Sequence, residues 1–355
     1  MEKMSGYAFV AAILSTGLGT ILYYLYAISG VRAAKLATAG GPAMGGTVGL
    51  ASGPRTAAIG KYASIFGWLA VLALFASLVF RTIATGHGPF ANMFEFSVAF
   101  SFGILATYMW FERKYHQKVL ALVALPVALA MSVYAWSIQG PIEPLVPALQ
   151  NNMLLTVHVA VAIVAYGSFA IAFAASLLYL LQGTWALAAA LMVVFALAGA
   201  PVGLVAQKGQ VVGLLGGLLG GAFAGLILGG VARWAGVLAS LKDASGGRWG
   251  LPKPQVLDEI GYRAVVVGFP FLSLTIILGA VWAETAWGTY WSWDPKETAS
   301  LITWFIYGSY LHARVMRGWR GDRAAWLLVL GFVATLFTYF GNLIFGGLHS
   351  YSGLG

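Results

Sequence analysis

The 355-residue chain is 60% hydrophobic and only 9% charged, with a mean hydropathy of +0.84. A soluble protein carries roughly 25% charged residues, so the composition excludes a soluble enzyme and points to a polytopic membrane protein. The absence of cysteine rules out disulfides, thiolate metal ligands and thiol redox chemistry of its own, while a net charge of +9 raises nucleic acid as a partner until its distribution is read.

Ten apolar runs are long enough to cross a bilayer as helices: about 6–28, 63–83, 92–111, 118–136, 152–181, 185–206, 211–241, 262–283, 298–316 and 325–346. The fold class is therefore an all-α transmembrane bundle, read as one integral membrane domain over 1–355. The first run is long enough to span, and Glu2 offsets Lys3, so it does not read as a cleaved leader. Residues 29–62 are rich in Gly, Ala and Ser and read as a flexible linker. Asn92 followed by Glu95 marks a helix start, and the link holding Pro141, Pro144 and Pro147 is stiff enough to lid one face. The run at 211–241 carries glycines at 213, 217, 221, 225 and 229, a stripe whose default role is helix packing.

Lys and Arg set the orientation. All of the twenty except Lys3, Arg81, Lys208 and Lys296 fall in links on one side. The positive-inside rule places both termini on the outer side, together with the link between the eighth and ninth runs. The basic charge is explained by topology and the lipid bilayer, and no nucleic-acid partner is expected.

That link, Trp282-Ala-Glu-Thr-Ala-Trp287-Gly-Thr-Tyr-Trp291-Ser-Trp293-Asp-Pro-Lys-Glu297, is the most distinctive stretch. Indoles favour the membrane boundary, so it is expected to lie flat there. Asp294, Pro295 and Glu297 read as an N-cap, a first helical residue and a capping-box partner. By itself the pattern is also satisfied by an aromatic belt before a capped helix.

Five histidines are present. His116 lies in a basic turn and His87 in a Gly-rich link, and both read as solvated. His158 falls about six residues into its run, roughly 9 Å below the helix start, among apolar neighbours. His349 follows the last run. Both are expected at the depth of the Trp-rich link, where two neutral imidazoles would form an axial pair for a haem iron. His312 lies roughly 21 Å below Asp294, near the inner boundary, and reads first as an interfacial histidine at a helix end.

Trp287-Gly288, Trp291, Trp293-Asp294 and Lys296-Glu297 resemble the "WWD" signature of haem-handling proteins of cytochrome c maturation. The flanks through Leu301-Ile-Thr-Trp304 and Leu311-His312-Ala-Arg314 resemble the CcsA/ResC branch, as do Pro89–Glu95, Leu154–His158 and Gly347-Leu-His349-Ser-Tyr351. The resemblance implies a cytochrome c synthase acting with a CcsB/ResB subunit in the bacterial plasma membrane. It implies haem b as substrate and bound cofactor, apocytochrome c with a CXXCH motif as the acceptor, and a thiol-reducing thioredoxin-like protein as a further partner. His158 and His349 would be the outer haem ligands. His312 would be a ligand of an inner site completed by the partner. Trp287, Trp291, Trp293 and Asp294 form the candidate reaction-site set, with Asp294 more safely a cap than an acid, and Lys296 is a candidate propionate partner.

The haem-handling core would comprise about 63–181 and 262–355, and the helix pair at about 185–241 departs from the family pattern. Competing functions are a haem exporter or chaperone without ligase activity, and delivery of the CcmC/CcmF kind. A secondary transporter would want midplane polar residues, and a quinol-linked dihaem cytochrome would want two complete axial pairs.

Overall fold

A segment crossing a bilayer must satisfy its backbone hydrogen bonds internally, and every long regular element among the described residues is an α-helix. The computed structural model describes residues 1–39, 53–140, 142, 149, 152–182, 251–341 and 347–349. Numbered over these, the helices are α1 (Glu2–Ala39), α2 (Pro54–Thr85), α3 (Met93–Tyr115), α4 (Ala121–Ser137), α5 (Asn152–Leu180), α6 (Pro254–Trp287), α7 (Pro295–Met316) and α8 (Asp322–Phe340), with a 3-10 turn at Lys118–Leu120 before α4. The predicted runs 185–206 and 211–241, with their glycine stripe, lie outside the described residues, as do most of the 29–62 linker's central part and of the proline-rich link.

Seven of these helical segments are long and apolar enough to cross a membrane. The exception is α7, which matches the predicted 298–316 run in position but is more polar. Its polar groups are used inside the bundle: Trp304 Nε1 donates to Ser273 Oγ at 2.8 Å, Thr303 meets Thr338, and Arg314 pairs with Asp258 at 2.6 Å. A helix flanked by protein, with its polar side chains partnered, needs less hydropathy than one facing lipid.

The core helix is α5, buried along almost its whole length and packed along α6, α3 and α8. Close approach of α3 and α5 depends on glycine: a Cβ on Gly167 would stand 2.5 Å from the Gly103 carbonyl oxygen. Further along, Phe169 of α5 stacks on Tyr307 of α7, with centroids 3.7 Å apart. Side by side, α1 and α2 form a hairpin on the flank, with wide apolar faces turned outward.

Among the described residues the buried ion pairs lie at the two ends. At one end Glu112 accepts hydrogen bonds from Tyr23, Ser64 and Tyr108 and pairs with Lys118 at 2.6 Å, tying α1, α2 and α3 together. At the same end Arg314 bonds Asp258, which also accepts the Gly321 N–H. The opposite end carries the Trp-rich link. There Arg81 lies in α2, within the predicted 63–83 run, with its side chain 5% exposed and its Nε donating to Glu95 Oε1 at 2.7 Å. Asn92 caps α3 as expected, accepting the Glu95 N–H. The Glu95 carboxylate bonds Ala91 N–H and Arg81 instead of closing a box onto Asn92.

Removing one member of a buried ion pair strands the other. Arg81→Ala is expected to lower stability by about 3–5 kcal/mol, read as a drop in thermal unfolding temperature in detergent. The double change Arg81→Met with Glu95→Gln should recover most of that loss.

Candidate functional site

The Trp-rich link is shorter than its sequence suggested. The helix α6 continues to Trp287 and stops where Gly288 adopts a left-handed conformation, φ 72°. Trp282 and Trp287 therefore project from the last turns of a helix, and only residues 288–294 form the link. Gly tolerates positive φ at no steric cost, which is why the helix ends there and not at the predicted 283.

Asp294 organises the start of α7. Its Oδ1 accepts the Lys296 N–H at 2.9 Å, capping that helix, and Glu297 closes the box by accepting the Asp294 N–H at 3.3 Å. Glu297 also accepts the Ser292 N–H at 2.8 Å and the Ser292 hydroxyl at 3.1 Å, so two carboxylates gather the link's donors. The second oxygen of Asp294 reaches a residue 54 positions away, accepting the Leu348 N–H at 2.7 Å. His349 Nδ1 then donates to Asp294 Oδ1 at 2.9 Å. Gly347 is required at the crossing: its φ is +124°, and a Cβ there would overlap the Asp294 carboxylate.

An ionised carboxylate only accepts, so the Asp294 contact places the His349 proton on Nδ1 and the lone pair on Nε2. His158 is held by the same logic. Its Nδ1 lies 2.9 Å from the Thr275 carbonyl oxygen, which also only accepts, so its lone pair is again on Nε2. The His158 ring lies flush against α6, where a Cβ on Gly279 would stand 2.8 Å from its Cε1.

The structure brings these two imidazoles into one neighbourhood. His158 lies within electrostatic reach of both His349 and Lys296. The His349 ring packs edge-on against Trp287 at 4.8 Å and lies 6.0 Å from Trp282. Trp282 is 2% exposed and joins Leu149, Leu155 and Val159 in a small apolar cluster separate from the main core. Leu149, which follows the proline-rich link, belongs to this cluster, while the three prolines lie outside the described residues. The ammonium of Lys296 sits 5.3 Å over the Phe96 ring.

Trp291 and Trp293 pack edge-on at 5.8 Å but face differently. Trp293 is 69% exposed and holds φ 59°, a conformation that costs a bulky residue strain. Among the described residues, the buried Nε1–H groups of Trp282 and Trp291 have no hydrogen-bond acceptor. Buried indole donors without a partner are uncommon.

His312 is elsewhere. It is exposed on α7, toward the end holding Arg314 and Asp258, and the structure does not bring it to the other two. His116 caps α3 in a left-handed conformation, and His87 Nδ1 meets the neighbouring Gly88 carbonyl. Sequence reasoning missed Thr275, Gly279 and Trp282 as members of the site. Their spacing, i, i+4 and i+7, puts them on one face of α6, but Thr275 acts through its carbonyl and Gly279 through its missing side chain.

Electrostatics at the link follow from burial. Burial raises the Asp294 carboxyl, but hydrogen bonds from His349, Lys296 N–H and Leu348 N–H outweigh it and bring the group down to about 2. Burial pushes Lys296 down to about 8, against the pull of Asp294. It also lowers His349, again opposed by Asp294, which leaves a neutral imidazole at pH 7.

The donor set suits a particular kind of guest. Among the described residues no group of three or more His, Cys, Asp and Glu could hold a bare metal ion. Two imidazole nitrogens suit iron whose four equatorial ligands come from a porphyrin. Buried indole donors, ring faces and one depressed lysine suit the remainder of such a molecule.

Two measurements check this geometry. Gly279→Ala should drive the His158 ring from its seat at a cost of about 1–3 kcal/mol in overpacking, seen as a shift of the His158 imidazole NMR resonances. The Asp294 contribution should be full above pH 4 and disappear as pH falls from about 4 toward 2, because the folded group sits below its ordinary 3.8. Its loss, about 2 kcal/mol on that difference, is expected in acid unfolding of the wild type and not of Asp294→Asn.

Comparison with known proteins agrees with this architecture. The family described as Cytochrome C assembly protein matches residues 90–349, a stretch ending on His349. The chain is 36% identical over 304 residues to the "Cytochrome c biogenesis protein CcsA" of Gloeobacter violaceus, covering 81% of this chain and 85% of that protein. The protein of that name from Porphyra purpurea is 32% identical, with 85% and 90% covered, and that from Microcystis aeruginosa is 36% identical, with 80% and 85% covered. The chain therefore belongs to the CcsA family of multi-pass membrane proteins that serve cytochrome c maturation.

Proposed function

We propose that this protein is the haem-handling half of a cytochrome c synthase. It binds haem b, brings it to the outer face of a bacterial plasma membrane and, with a CcsB/ResB-type subunit, attaches it to the two CXXCH thiols of apocytochrome c. The observation that supports this reading is the pair of imidazoles within electrostatic reach of each other, each with its Nδ1–H held by an acceptor and so its lone pair on Nε2, the His349 ring packed on Trp287. Because the outer-end groups all lie away from the Arg- and Lys-rich links, the positive-inside rule puts them on the outer side.

The chemistry is addition of each thiol S–H across a haem vinyl group, with sulfur bonding the carbon next to the ring and the proton going to the terminal carbon. No net oxidation is involved, but the thiols must arrive reduced. The chain has no cysteine, so a thioredoxin-like protein would supply that reduction. This chain's contribution is position and ligation: His158 and His349 hold the iron, Trp287, Trp291 and Trp293 border the macrocycle, and Lys296 or the unpaired indole N–H groups meet the propionates. Asp294 orients His349 and caps α7 and takes no proton from substrate. His312, exposed on α7, suits a ligand for an inner site completed by the partner subunit, from which haem would enter. The haem-handling core is 63–181 with 262–355, and the pair at 185–241 is an addition to it.

A haem exporter that hands its cargo to a separate ligase would use the same binding groups. The two separate on activity. In the purified complex with its partner, reduced-minus-oxidised spectra should show low-spin haem b, lost in His158→Ala and His349→Ala and restored by imidazole. A CXXCH reporter should mature in the wild type. Haem binding without maturation would select the exporter. Absence of haem, with maturation intact in all three histidine variants including His312→Ala, would remove the assignment.

A further inference from the structure

The two outer imidazoles are oriented alike but backed differently. The acceptor behind His349 is a carboxylate whose side chain is 1% exposed, itself held by the Lys296 and Leu348 N–H groups. The acceptor behind His158 is a neutral peptide carbonyl at Thr275, inside α6, where the helix already draws on that carbonyl's acceptor capacity. A hydrogen bond to an anion in a low-dielectric site draws the Nδ1 proton and enriches the far nitrogen. Partners of this kind change metal affinity by about 10- to 100-fold.

Resting on the haem reading, we propose that the two histidines are unequal ligands with a fixed order of departure. His349 is the strong donor that keeps the iron to the end, and His158 is the weak donor that the substrate's CXXCH histidine displaces. Asp294 is the positioning residue that creates the inequality. The step is a ligand exchange: one Fe–N bond to His158 breaks, one Fe–N bond to the substrate imidazole forms, and no electron moves. The geometry also favours this order sterically. His349 is fastened to the start of α7 through two bonds into one carboxylate, at its own ring and at Leu348 N–H, so it cannot withdraw without releasing the segment beside it. His158 has one such bond.

The test uses the full complex loaded with haem b, with imidazole filling the vacated position in His158→Ala and in His349→Ala. Transfer of haem to excess apomyoglobin reports the remaining protein ligand. Haem is expected to leave His349→Ala, where His158 alone holds it, about 10–100 times faster than it leaves His158→Ala. Asp294→Asn, which keeps a good helix cap, should close that gap when added to His158→Ala and should raise the haem midpoint potential. Equal rates in the two single variants, or faster loss from His158→Ala, would overturn the order. An unchanged gap with Asp294→Asn would overturn the role of Asp294. If both single variants hold haem as the wild type does without imidazole, the ligand assignment itself fails, and the ranking with it.

Discussion

One carboxylate holds this end of the molecule together. Asp294 caps α7, accepts the Leu348 N–H and accepts the His349 ring proton. Two segments distant in sequence thus meet at two oxygen atoms, and each of the three bonds is charge-assisted. The position of His349 depends on the start of α7, and the start of α7 depends on the same group that selects the His349 tautomer. Gly347 has to be glycine because this convergence leaves no room for a side chain.

The remainder of the fold makes such a group tolerable. Buried charge is costly unless paired, and among the described residues the bundle keeps its buried ion pairs at its ends. Glu112 with Lys118 and Asp258 with Arg314 close one end, while Arg81 with Glu95 and Asp294 with its donors close the other. Between them the contacts are apolar and close, with α5 running through the centre. A rigid middle allows the depth of His158, set by its position along α5, to be matched to a loop residue that arrives from the end of α8.

Within the site, opposing requirements are met by different residues. Indole rings supply apolar cover, two imidazoles supply nitrogen lone pairs, and one half-buried lysine supplies a positive charge weakened by burial. The strained, exposed Trp293 sits directly beside the buried Asp294. Strain of this kind persists only where surrounding contacts enforce it, and here the N–H groups on either side of Trp293, those of Ser292 and Asp294, are both held by the Glu297 carboxylate.

Much of this was legible beforehand. Apolar run length located the described helices, because a bilayer admits few other solutions, and the Asp-Pro-Lys-Glu order predicted the cap of α7. His158 was expected at the depth of the Trp-rich link by counting along its run, and His349 because it follows the last run. The sequence could not show that Trp287 is helical, since the end of α6 was decided by a left-handed Gly288. Nor could it show that Arg81, inside its predicted run, faces Glu95, because a pairing between two helices is not written in either one. Above all, the lining from α6 was hidden: Thr275 acts through its backbone and Gly279 through the absence of a side chain, and neither leaves a chemical signature. What the sequence determined by itself was a multi-pass helical bundle and which side chains carry nitrogen donors, since hydropathy and side-chain chemistry are local. Which acceptor backs each histidine, and so which nitrogen is offered, was decided only by tertiary structure, because those bonds join residues 55 and 117 positions apart.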